Sequence, residues 1–113
     1  MTLENFYEVI GGDYAGTKSR LLTDERILRF VSKFPTDESF KNLEKALKEN
    51  NVQEAFRAAH TLKGVAGNLG FNALFNISQE VTEILRGGSL EVSAHMPKLK
   101  ELYDLTVENI AKL

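Results

Sequence analysis

Apolar residues recur along the chain at three- and four-residue intervals, and this spacing predicts helices almost from end to end. Thr2 caps a short first helix through Ile10, with Phe6 and Ile10 on one side, and Gly11-Gly12 ends it. Asp13 caps a second short helix over Tyr14 to Leu21, where Gly16 weakens the pattern. Thr23, followed by Asp24 and Glu25, starts a third, because acids in a first turn complement its partial positive charge. Its stripe is Ile27, Phe30, Val31 and Phe34, and Pro35 stops it at Phe34. Thr36 then caps a helix to about Glu49, with Phe40, Leu43, Ala46 and Leu47 inward.

Asn50-Asn51 is a break, and Asn51 with Glu54 resembles a capping box for a helix through Leu69, which Gly70 ends in a left-handed conformation. Asn72 caps the next helix, whose Leu74, Ile77, Val81, Ile84 and Leu85 face inward until Gly87-Gly88. Ser89 starts a final helix with Val92, Met96, Leu99, Tyr103, Thr106, Ile110 and Leu113 on one stripe. Pro97 would remove the bond to Ser93, so this helix either kinks near Ser93 or begins later. Four long amphipathic helices with short loops predict an all-α fold: an antiparallel up-down four-helix bundle with short N-terminal capping helices.

Composition narrows the function. A chain of 113 residues with 42% hydrophobic content matches one domain spanning 1–113. A net charge of −2, from 14 basic and 16 acidic residues spread along the chain, offers no broad attraction to nucleic acid or anionic membrane. The absence of cysteine removes disulfides and thiolate sites and fits a reducing cytoplasm. The N-terminus reads as neither a signal peptide nor a spanning helix, so the expectation is a cytoplasmic monomer.

The stretch Arg57 to Phe71 carries the chemistry. With successive residues turned by roughly 100°, Ala55, Ala59, Leu62, Ala66 and Leu69 form the buried stripe of the Asn51 helix. His60 falls opposite, with Gln53, Gly64 and Gly67. An imidazole is mostly unprotonated near pH 7, since its ordinary pKa is about 6.5, and is then a competent nucleophile. Lys63 lies within side-chain reach of His60 and can neutralise an anion held there. Interior glycines each cost about 1 kcal/mol of helix stability, so Gly64 and Gly67 point to a partner that needs room on this face, in preference to close helix packing.

The segment His60-Thr61-Leu62-Lys63-Gly64, followed by Gly67 and Gly70, resembles the H-x-x-K-G signature of histidine-containing phosphotransfer (HPt) domains of multistep phosphorelays. The Gly-Gly-Asp-Tyr opening, the flanking apolar helices and Gly87-Gly88 extend the similarity over essentially the whole chain. The resemblance implies that Nε2 of His60 accepts a phosphoryl group from the aspartyl phosphate of one receiver domain and passes it to the aspartate of another. The implied partners are receiver domains of hybrid sensor kinases and of response regulators. It further implies that Lys63 neutralises phosphoryl oxygens, that Gly64 and Gly67 give receiver access, and that a polar residue on the next helix, Gln79 or Thr82, orients His60. No cofactor of its own is implied, because Mg2+ belongs to the receiver. Phe6, Tyr7, Ile10 and Phe56 are candidates for the docking contact, with core packing as their other reading.

Two other readings compete. The chain could be a helical module that binds a receiver without phosphoryl transfer, or an enzyme. Against an enzyme, there is no G-K-[ST] phosphate loop, and the glycines of Gly64 to Gly70 lie within a helix and at its end, not after a strand. A metal site is disfavoured by two histidines with no H-E-x-x-H, and His95 reads as a surface residue. The short ends favour a free-standing shuttle over an excised domain.

Overall fold

The computed structural model describes all residues from Met1 to Leu113 as seven α-helices and one 3-10 turn, with no strand. The helices are α1 (Leu3–Ile10), α2 (Tyr14–Leu21), α3 (Asp24–Val31), α4 (Ser39–Lys48), α5 (Val52–Leu69), α6 (Asn72–Arg86) and α7 (Met96–Ile110). Four starts follow directly from the capping residues. Thr2, Asp13, Thr23 and Asn51 each accept a hydrogen bond from the backbone N–H three residues on, at 3.0 to 3.2 Å. Only half of the capping box forms, since the Glu54 carboxylate pairs with Arg57 at 2.7 Å.

Elsewhere the boundaries differ from expectation. Helix α3 stops at Val31, three residues before Phe34, and Phe34–Thr36 forms the 3-10 turn. Phe30 falls outside the buried stripe and is 43% exposed. Thr36 caps nothing, because its hydroxyl donates to the Lys33 carbonyl at 2.6 Å. Asp37 Oδ1 instead accepts from the Ser39 N–H at 2.8 Å, at the start of α4. Asn72 is already the first helical residue of α6, which begins so soon after the left-handed Gly70 that Phe71 occupies the cap position. Ser89 starts no helix; its hydroxyl accepts from the Glu91 N–H, and the segment to His95 is turn and coil. The helix thus takes the later start, one of the two outcomes open at Pro97, which sits in the first turn of α7 where its missing N–H costs nothing.

Helices α4, α5 and α6 pack successively, α7 closes on α6, and Phe40 of α4 stacks on Tyr103 of α7 at 4.3 Å. The core runs through Leu43, Leu62, Leu74, Val81, Leu85 and Leu99, each at most 2% exposed. Phe6, Tyr7, Phe34 and Phe71 continue it at one end, their rings meeting at 5.2 to 6.0 Å in edge or tilted contacts. Phe6, Tyr7 and Ile10 are therefore core residues, which corrects their candidacy for docking.

The N-terminal helices serve the end of α5. The last carbonyls of a helix have no partner within it and must find one outside. Here the Leu69 carbonyl accepts from the Tyr7 hydroxyl at 2.6 Å, with the Thr17 hydroxyl 3.3 Å away and bonded more closely to the Asp13 carbonyl at 2.7 Å, and the Asn68 carbonyl accepts from Arg20 at 3.0 Å. The Asp13 N–H donates to the Gly70 carbonyl at 2.9 Å. Gly12 is required by this approach, since a Cβ there would lie 2.7 Å from that same oxygen. Burial pushes the Tyr7 phenol up to about 12. On the surface, Asp24 accepts from Lys18 at 2.8 Å and from Tyr14, tying α2 to α3; the Lys18 bond above all holds the carboxyl below its usual range.

No helix is long and apolar enough to cross a membrane.

Candidate functional site

Helix α5 runs unbroken for 18 residues, long enough to carry a fully buried apolar stripe and still present an outer face. Ala55, Ala59, Leu62 and Ala66 are wholly buried, and Ala58, absent from the predicted stripe, joins them at 7% exposure. His60 is exposed on the opposite side, with Arg57, Thr61 and Gly64 beside it. Its ring makes no hydrogen bond within the protein, which leaves the imidazole nitrogens free for an outside group.

The neighbouring cations differ in their commitments. Arg57 is paired with Glu54, whereas the half-buried Lys63 has no ion pair. A single free ammonium thus flanks the imidazole, one turn along the helix. Gly64 faces open space, with no atom within 4 Å of where a Cβ would stand. Gly67 does not. A Cβ there would meet the Phe75 ring at 3.0 and 3.1 Å, so its missing side chain admits α6. Its assignment to partner access is replaced by close helix packing.

Contacts across the helix pair fix its register. Phe56 meets Arg86, whose guanidinium carbon lies 4.9 Å from the ring centre, and Gly67 meets Phe75. The two helices are therefore antiparallel. Four residues inward from each end, His60 lies level with Thr82, and Lys63 with Gln79. Thr82 is fully buried, and its hydroxyl donates to the Ser78 carbonyl at 2.7 Å, so that proton is committed within α6. Gln79 is exposed, and its amide is uncommitted. Neither makes a hydrogen bond to His60 in this structure.

Sequence reading missed what His60 does touch. The Phe56 ring is stacked on the imidazole, centroids 5.8 Å apart and planes 15° from parallel. The spacing of four residues on a helix was a usable signal for that pair. The contribution of Arg86 was not readable, since it depends on where the turn between α5 and α6 falls.

His60 lines none of the three principal surface cavities. The nearest, a polar groove of about 380 Å³ between α4 and α5, reaches Arg57 and Thr61 but stops short of the imidazole. An imidazole exposed on a helix face outside these cavities suits a macromolecular partner better than an enclosed small substrate.

Searches of curated proteins and of solved structures return no match to this chain. The family model for the Hpt domain does match, over residues 35–109, a span that holds α4 to α6, all but the last residue of α7, and with them His60, Lys63 and Gly64. An exposed, unpaired histidine on a bundle helix, with one free lysine a turn away, lies inside that match, and the chain belongs to the Hpt domain family.

Proposed function

We propose that the chain is a histidine phosphotransfer protein that relays a phosphoryl group between the aspartates of receiver domains through His60. The observation that carries this reading is the free imidazole of His60, exposed beside unpaired Lys63 within the matched segment. In the forward step the Nε2 lone pair forms an N–P bond while the acyl-phosphate P–O bond breaks, and the donor aspartate leaves as a carboxylate. The Nδ1 proton stays on the ring. The return step reverses these bonds toward the second receiver's carboxylate. Such transfer needs in-line positioning and charge neutralisation more than acid–base machinery.

In this reading Lys63 neutralises the phosphoryl oxygens, and Gly64 gives clearance for the receiver's loops. Gln79, free and level with Lys63, is the favoured polar residue on α6 to meet His60 or its phosphoryl group. The chain acts as a phosphoryl carrier with no kinase or nucleotide site of its own, and Mg2+ is held by the receiver. We place it in the cytoplasm as a monomeric single domain over 1–113, with α4 to α7 as an antiparallel up-down bundle. Its partners are receivers of hybrid sensor kinases and of response regulators.

The test is direct. Incubation with a phosphorylated receiver should transfer an acid-labile, alkali-stable phosphate to the protein, and His60→Gln should abolish it. Label retained in that variant, or taken up from ATP alone, would overturn the reading.

A further inference from the structure

His60 is exposed and free of hydrogen bonds, yet its ring has a flat neighbour on its own helix. Phe56, one turn earlier on α5, lies nearly parallel to it at 5.8 Å. Phe56 is itself held: it is half-buried, and the Arg86 guanidinium of α6 packs over its ring at 4.9 Å. Arg86 is paired in turn with Glu83, whose carboxylate accepts from its Nε at 3.1 Å. A chain of flat contacts therefore runs from α6 across α5 to the imidazole.

We propose that Phe56, held by Arg86, is a positioning residue for phosphoryl transfer at His60, setting the plane of the imidazole by stacking. The inference rests on the carrier reading above. An imidazole nitrogen presents its lone pair in the ring plane, so rotation about the Cβ–Cγ bond swings that lone pair away from an incoming phosphorus. In-line attack needs the lone pair, the phosphorus and the leaving oxygen aligned, and pre-set alignment is where such a site gains rate. A ring stacked on one face restricts this rotation without occupying either nitrogen. A hydrogen bond to Nε2 would restrict it equally but block the attacking atom. Stacking also survives phosphorylation, because the N–P bond lies in the ring plane. An aliphatic side chain of similar bulk could fill the same space, but only a flat one sets an orientation.

The experiment compares Phe56→Leu and Phe56→Tyr with the wild-type protein. In the free protein, ring-current shifts of the His60 carbon-bound protons, read by NMR, should vanish in Phe56→Leu and persist in Phe56→Tyr. With a phosphorylated receiver, Phe56→Leu should lower the saturating transfer rate by about tenfold with little change in half-saturating receiver concentration. Phe56→Tyr should restore the rate, and thermal unfolding should show both variants folded. An unchanged saturating rate in Phe56→Leu, a defect confined to half-saturation, or a failure of Phe56→Tyr to rescue would each overturn the positioning role while leaving the carrier reading intact. A wild-type protein that accepts no phosphoryl group from any receiver would overturn both, even with the ring-current shifts in place.

Discussion

The hydroxyl of Tyr7 donates a 2.6 Å hydrogen bond to the carbonyl of Leu69, joining residues 62 positions apart. This bond fastens the N-terminal helices onto the helix that bears His60. Tyr7 is 1% exposed, so loss of its hydroxyl leaves a buried acceptor with only the 3.3 Å contact from Thr17. Tyr7→Phe should therefore cost ~1 to 2 kcal/mol of stability. Denaturant unfolding at neutral pH measures this as a shift in midpoint at constant slope. A midpoint equal to wild type would show that Thr17 turns its hydroxyl from the Asp13 carbonyl to satisfy that of Leu69.

The same phenol sets an alkaline limit. Burial raises its folded pKa to about 12 from the ordinary 10.0, so between these values the unfolded chain releases a proton that the folded chain retains. Stability falls with rising pH wherever the folded state binds more protons. The contribution of Tyr7 is thus intact below pH 10 and lost as pH climbs toward 12. Unfolding midpoints measured from pH 9 to 12 should decline more steeply for wild type than for Tyr7→Phe. Parallel curves would mean that the phenol is not the titrating group.

Gly64 and Gly67 occupy similar positions in the sequence pattern but different surroundings. Gly64→Ala places its methyl in open space and should gain helix stability of up to ~1 kcal/mol. Gly67→Ala makes the same propensity gain, but its methyl meets Phe75 at 3.0 Å, and such crowding costs ~1 to 3 kcal/mol where the neighbour cannot move. The alanine variants should rank in that order by calorimetry, with Gly67→Ala clearly the less stable. Equal gains at both sites would show that Phe75 yields freely.

The helices and the outward face of His60 were legible because both depend on local chemistry: 3.6-residue periodicity and side-chain caps at Thr2, Asp13, Thr23 and Asn51. Phe6 and Tyr7 were harder to place. An apolar residue on a short helix can cover a core or await a partner, and only the packing of α1 onto the α5–α6 turn decides which. The same limit applies to Gly67, whose neighbour Phe75 lies across a helix pair. At the last helix Ser89 and Pro97 gave competing starts, and α7 takes the later one because Pro97 fits only its first turn.

Ser78 is wholly buried, and its hydroxyl has no hydrogen-bond partner. Its carbonyl is used, accepting from Thr82, but the side-chain oxygen only carries a desolvation cost, ~1 to 3 kcal/mol for such a group. Ser78→Ala should be neutral or stabilising, the opposite of most buried substitutions. A clear drop in melting temperature would reveal that the hydroxyl is satisfied in solution.

Lys63 offers the sharpest separation of function from stability. Its ammonium forms no ion pair in the protein, and alanine is a slightly better helix former, so Lys63→Ala should change stability by less than ~0.5 kcal/mol. A phosphoryl group arriving at His60 brings negative charge to a site where Arg57 is already engaged with Glu54. Removing the one free cation should slow transfer from a phosphorylated receiver by roughly tenfold or more, the loss of about 1.4 kcal/mol of transition-state stabilisation. Lys63→Arg keeps the charge and should recover most of the rate. Because the site is exposed, the gap between wild type and Lys63→Ala should narrow as salt rises from 0.05 to 0.5 M, values spanning roughly the range over which screening becomes strong. A rate loss in Lys63→Ala that Lys63→Arg does not relieve, or that salt leaves untouched, would assign Lys63 to shape complementarity with the receiver instead of charge.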